Sequence, residues 1–368
     1  MKKLNTRLKS TFIGCGQCGC QVIAETARKI MELDGTKDNV SFVGINTSME
    51  DLSAVNLPHK IHVKDCNGAA GNRERSLDAL AGNIDEILEE LQTYIIKGSI
   101  IFIAFSMGGG TGSAMAPILA RIMREMEYTV CLIPVLPADS ESLKIRDNAR
   151  QTFNEIEELK PVLGSIFMLD NNATDKLQIN RIFATLITAV LSINNKSQDG
   201  NMDLAEIESC LQCPSFSIIV ATNAANGTTG HIIDILEREN NIFAKREDKT
   251  VTIMGISEAV SAKDSKIDVV EFRKAIGTAP TEYHGYLSES GENVVILSGL
   301  MMPYSRIDTL AESVEKEAES VQNSLKALTE VRSGTSSSIF SVKPKLDHKP
   351  TNGGLSALEK LKARRISK

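Results

Sequence analysis

Two glycine-rich turns carry the clearest chemical signal in this 368-residue chain. Gly14, Gly16 and Gly19, with Gln17 and Cys18 among them, match G-x-G-x-x-G. The run lies between an apolar stretch and a helical one, where glycine lets the backbone approach a phosphate at a helix N-terminus. Gly108, Gly109, Gly110, Thr111, Gly112 and Ser113 repeat the arrangement after a second apolar stretch. A second anion cradle of this kind is foreign to a dinucleotide-binding fold. Such a fold also wants an acid at the end of its second strand to hold ribose, and here that position reads Asn46-Thr47-Ser48. Neither turn contains the lysine of G-x-x-x-x-G-K-[ST], which disfavours P-loop chemistry. Two facing sets of backbone N–H groups suit a nucleoside triphosphate. A nicotinamide-dependent oxidoreductase built on the first turn alone remains the alternative from another class.

Other reactive residue types add less. Cys15/Cys18 and Cys210/Cys213 have C-x-x-C spacing, but the first pair lies inside a glycine turn and the second has no neighbouring histidine. Reduced, structural thiols are the better reading, and the five scattered histidines suggest no metal site.

These turns need a sheet to position them. Apolar runs at Thr11–Ile13, Ser41–Ile45, Ser99–Phe105, Tyr128–Pro134 and Ser165–Leu169 alternate with amphipathic stretches, the pattern of a parallel sheet covered by helices. Leu77, Leu80, Ile84, Ile87, Leu88 and Leu91 keep helical spacing with one apolar face. Residues 178–194 are apolar nearly all round, which predicts a helix buried between two bodies. Strands at Phe216–Thr222, Thr250–Ile256 and Asn293–Leu300 then predict a smaller α/β unit. A last helix, over residues 306–329, carries an apolar stripe expected to pack on that second unit.

The expected organisation is α/β throughout, with a Rossmann-like nucleotide domain over 1–176 and a central helix over 177–196. A second domain over 197–304, a C-terminal helix over 305–332 and a flexible basic tail over 333–368 complete it. The tail holds eight Lys/Arg against Asp347 and Glu359, a balance of +6 that leaves −12 on residues 1–332 of a chain whose net charge is −6. Its Ser-, Gly- and Pro-rich composition cannot bury enough apolar surface to order it. Ile100–Phe105 is far short of the about 20 apolar residues that span a bilayer, and glycine and cysteine stand where a signal peptide needs its apolar core. A cytoplasmic location is expected.

The Gly108–Ser113 turn resembles the signature loop of the tubulin and FtsZ superfamily, and Gly16–Gly19 is similar to the first phosphate loop of tubulin. The resemblance implies GTP and GDP as ligands with Mg²⁺, GTP hydrolysis, and roles for further residues. Asn46 falls where the family carries N-T-D, although Ser48 replaces the acid and Glu50 or Asp51 would have to substitute. Gly68, Ala69, Ala70, Gly71 and Asn72 resemble the loop that senses the γ-phosphate. Glu141 falls in the ribose loop, followed by Lys144 or Arg146 as its basic residue. Asn171 falls in the base loop, and Asn180 matches an asparagine that bonds guanine from the central helix. Twenty-one residues further on, Asn201, Asp203 and Glu206 resemble N-x-D-x-x-D, the loop that the family inserts into a neighbour's pocket as its catalytic element. The basic terminus resembles the TubZ branch, which segregates plasmid and prophage DNA. That implies a head-to-tail homopolymer, a DNA-bound adaptor of the TubR type, and no membrane partner. A divergent FtsZ-like division GTPase is the nearer alternative.

Overall fold

The computed structural model describes residues 8–32, 38–193, 200–237, 241–286 and 291–329. The basic tail and residues 194–196 of the expected central helix lie outside them.

Six parallel strands form the first half: β1 (Ser10–Cys15), β2 (Val40–Asn46), β3 (His59–His62), β4 (Ile100–Ser106), β5 (Val130–Leu136) and β6 (Ser165–Ile166). They lie in the order 3-2-1-4-5-6, and β7 (Leu169–Asp170) also pairs with β5. β1, β2 and β5 are buried along their whole length. That is why they read as unbroken apolar runs: helices cover both faces of a parallel sheet. These helices are α1 (Gly16–Glu32), α2 (Met49–Ala54), α3 (Arg73–Tyr94), α4 (Thr111–Glu125) and α5 (Leu143–Leu159). The strand order reverses between β1 and β4, so a crevice opens outside their carboxyl ends. Both glycine turns leave from those two strands.

The run Ser165–Leu169, expected as one strand, is split into β6 and β7. Phe167 N–H donates to Leu132 O at 2.8 Å. The return bond of a parallel ladder needs an N–H at residue 134, which is proline.

The sixteen residues of α6 (Lys176–Leu191) start at the cap formed by Asp175, whose side chain accepts from Leu177 N and Gln178 N. This helix packs against α1 on one side and against the second half of the sheet on the other, as its all-round apolarity predicts. Then follow α7 (Leu204–Gln212), β8 (Ser215–Asn223), α8 (Thr229–Glu237), β9 (Ile253–Glu258), α9 (Val269–Ile276), β10 (Thr281–Tyr286), β11 (Glu292–Leu300) and α10 (Tyr304–Thr329). The smaller α/β unit does not form a separate sheet. β6 pairs with β8 through Ser165↔Ser215 and Ile166↔Phe216, and one sheet of eleven strands runs on through β11 and β9 to β10. β9 starts later than expected because Asp248 draws Thr250 into a turn, accepting from its N at 2.8 Å and its hydroxyl at 2.7 Å.

α10 departs from expectation. It packs chiefly on α5, and its first turn reaches the second unit through Ser305, which donates to Glu247 from N at 2.9 Å and from Oγ at 2.7 Å. Within its stripe Ile307, Leu310 and Val314 are buried, whereas Val321 is 44% exposed.

Candidate functional site

The two glycine turns meet at the crevice. A Cβ at Gly112 would lie 2.5 Å from Cys15 O, and one at Gly16 would lie 2.9 Å from Gly112 N. Loop 68–72 closes a third side: a Cβ at Gly110 would stand 2.8 Å from Ala69 Cβ and 2.9 Å from Asn72 N. The approach is therefore backbone to backbone, which only residues without side chains permit. Gly110 stands at the N-cap of α4 without a side-chain cap, so the first N–H groups of that helix stay available to an anion. Thr47 and Thr111 share a hydroxyl hydrogen bond of 2.7 Å across the crevice. Ser113 turns its hydroxyl back to Gly109 O.

Asn46 is buried at the end of β2, and its Nδ2 has no partner. A buried donor without an acceptor is costly; here it fits a ligand oxygen. Asn72 spends its Oδ1 accepting from Arg75 N as the cap of α3, and Ser48 caps α2 by accepting from Asp51 N. Glu50 and Asp51 accordingly occupy the first turn of α2.

Sequence reasoning missed the group that locks the loops together. Asn148, buried on α5, donates through Nδ2 to both Gly71 O and Gly108 O at 3.0 Å. Buried Arg73 donates to Asn148 O at 3.2 Å and grips both Glu155 oxygens at 2.6 Å. Thr152 donates to Met107 O at 3.0 Å. The available signal was Asn148 and Thr152, four residues apart on the face of α5 that points inward.

Beyond the glycine turns, Glu141 and Asn171 come together from separate loops. Glu141 Oε1 accepts from Ala138 N at 3.2 Å and Asn171 Nδ2 at 3.3 Å, and it pairs with Lys176 at 3.0 Å. Of the two basic candidates, Lys144 reaches the cradle: its Cε is 3.7 Å from a Cβ built on Gly71. Arg146 is buried and bonded elsewhere, donating to Glu141 O and Ser313 Oγ at 2.9 Å each. Asn180 and Gln17 line one end of a groove of about 680 Å³ that continues along α1. Gln21 and Leu177 join them there, two neighbours that the sequence reading did not single out. Next to this group, burial pushes the Cys18 thiol up to about 12. All seven described cysteines are free thiols, and a thiol kept protonated is a poor metal ligand or nucleophile.

Asp203 and Glu206 are not part of this cluster. Asp203 caps α7, accepting from Glu206 N at 2.9 Å while Glu206 Oε2 accepts from Asp203 N at 2.8 Å. This loop lies against the far strands: Gly200 O accepts from Tyr286 N of β10, and Met202 packs on Gly255 of β9. Asn201 is exposed beside it. From Asn180 to the end of α6 the helix rises about 17 Å. Among the described residues, no group of three or more His, Cys, Asp or Glu is placed to hold a metal, and no helix is long and apolar enough to cross a membrane.

Residues 9–178 match the model of the Tubulin/FtsZ family, GTPase domain. This stretch is a tubulin/FtsZ-family GTPase domain. It contains both glycine turns, loop 68–72, Glu141 and Asn171, and it makes the chain a GTPase that takes GTP and GDP. A dinucleotide role for the first glycine turn is thereby set aside. The chain is 25% identical over 279 residues to the tubulin-like protein TubZ of Clostridium botulinum C phage, covering 74% of this chain and 75% of that protein. It is 28% identical over 173 residues to Bacillus cereus TubZ, covering 45% of this chain but 40% of that protein. Among solved structures, a GTPγS-form protofilament of Bacillus thuringiensis serovar israelensis TubZ has a TM-score of 0.72 at 18% identity, with 89% and 96% of the two chains covered. TubZ proteins are thus among those the chain is similar to, as are FtsZ and CetZ proteins.

Proposed function

We propose that the chain binds GTP at the β1/β4 crevice, polymerises head to tail, and hydrolyses GTP only after a second copy completes the site. In this reading the triphosphate lies between the turns 14–19 and 108–113, sensed by loop 68–72 and by the free donor of Asn46. Glu141 holds the ribose, while Asn171 and Asn180 hold the base. Mg²⁺ takes ligands chiefly from phosphates and water and would neutralise phosphate charge. Glu50 and Asp51 are the nearest acids along the chain to the Asn46 loop.

The observation that carries the proposal is the separation within one chain of a complete cradle from the acidic loop 201–206. Asn201 and Asp203 are exposed and Glu206 is partly so, as groups serving a neighbour must be. Inserted into the next subunit's pocket, Asp203 or Glu206 orients the attacking water, and cradle N–H groups stabilise the charge developing on the phosphates. The TubZ protofilament of similar fold supports the same stacking. GTP turnover per subunit should rise with protein concentration, measured as phosphate release across a dilution series; a constant specific activity would contradict the proposal.

The filament would segregate plasmid or phage DNA, with tail 333–368 engaging a DNA-bound adaptor by charge. A chain ending at residue 332 should still pellet with GTP but no longer carry an adaptor–DNA complex down with it. Undiminished co-pelleting would remove the tail from the account.

A further inference from the structure

Two guanidinium groups fasten α10 to the loops assigned to the nucleoside. Arg306, in the first turn of α10, donates through Nε to Asp170 Oδ2 and through Nη2 to Pro137 O, both at 2.8 Å. Its Nη1 faces Asp139 Oδ1 at 2.9 Å. One planar fork thereby spans the start of the Glu141 loop and the residue preceding Asn171. These loops are also tied to each other: Asp139 N donates to Asn172 Oδ1 at 3.0 Å, and Asn172 Nδ2 donates to Asp139 Oδ2 at 2.9 Å. Arg146 makes the second fastening, from Glu141 O to Ser313 Oγ and the Glu317 carboxylate on α10.

The arrangement exceeds what docking a helix requires. Ile307, Leu310 and Val314 already bury the contact face of α10. Arg306 is only 12% exposed, and its partners come from two loops rather than from one packed surface. A rigid fork with fixed donors sets the spacing of what it binds, which a flexible lysine does not. Removing it would leave the nearly buried Asp170 carboxylate uncompensated.

We propose that Arg306 is a positioning residue for nucleoside binding, through which docked α10 sets the separation of the Glu141 and Asn171 loops. By linkage, a nucleotide that needs this separation also holds α10 in place. The inference rests on the reading that Glu141 contacts the ribose hydroxyls.

Calorimetric titration of the full chain with GTP and with 2′,3′-dideoxy-GTP tests it, at protein concentrations below assembly. Arg306→Gln should weaken GTP binding about tenfold, as a coupling of this kind typically does, and leave dideoxy-GTP binding nearly unchanged. It should add nothing further in a Glu141→Ala background. Arg306→Lys should restore part of the loss. Asp139→Ala, at an exposed side chain that does not endanger folding, should shift GTP binding in the same direction. Equal losses for both nucleotides, or no loss in either Arg306→Gln or Asp139→Ala, would overturn the positioning role. Glu141→Ala that fails to reduce discrimination between the nucleotides would instead overturn the ribose assignment beneath it.

Discussion

At Gly112 a Cβ would lie 2.5 Å from the Cys15 carbonyl oxygen, a backbone atom that cannot swing aside. Gly112→Ala must push the two turns apart, at a cost of about 1–3 kcal/mol in strain. GTP affinity should then fall roughly tenfold or more, measured by equilibrium binding to the unassembled chain; unchanged affinity would mean that the two turns do not jointly hold the phosphates. This part of the site was legible in the sequence because a backbone that must approach another backbone writes glycine into the chain. The fastenings behind it were not legible. Asn148 and Arg73 act on carbonyls and side chains 40 to 82 residues away, and nothing local distinguishes such residues from ordinary polar positions on a helix. Lys144 and Arg146 stood as equal candidates for the same reason, until packing placed one at the cradle and the other under α10.

Secondary elements followed the same division. Strands buried on both faces announced themselves as apolar runs. β3 has one buried apolar residue, Ile61, and β10 is a largely half-exposed edge strand, so neither carries a periodic signal. The apolar stripe of α10 was readable but its partner was not, since a stripe states that a face is covered without stating by what. Among the described side chains of that stripe, none beyond Val314 is fully buried. Leu310→Ala, removing a fully buried side chain against α5, should destabilise the fold by about 2–4 kcal/mol. Val321→Ala, at a half-exposed position, should change stability by less than about 0.5 kcal/mol. Urea unfolding of both variants tests this, and equal effects would mean that the whole stripe is covered.

In the whole molecule one sheet connects two chemically unlike ends. The crevice between β1 and β4 offers backbone donors at two glycine turns. The capped loop before α7, beside β9 and β10, offers acids without a phosphate cradle. The helix α6 lies between them along the chain. The proposed division of one active site between neighbouring copies would make both ends useful and would tie turnover to assembly. The proposed partition rests on the spacing of Asn180 from Asn201 and on the place of Asp203 and Glu206 beside β9 and β10. The most direct test mixes two damaged chains: Glu206→Ala, which keeps its cradle, and Gly112→Ala, which keeps its acids. Phosphate release is followed at a GTP concentration too low to fill the Gly112→Ala pocket, with co-pelleting to establish that the chains assemble together. The account predicts that the mixture hydrolyses GTP well above the sum of the two separate chains. Co-assembled chains whose activity equals that sum would contradict it.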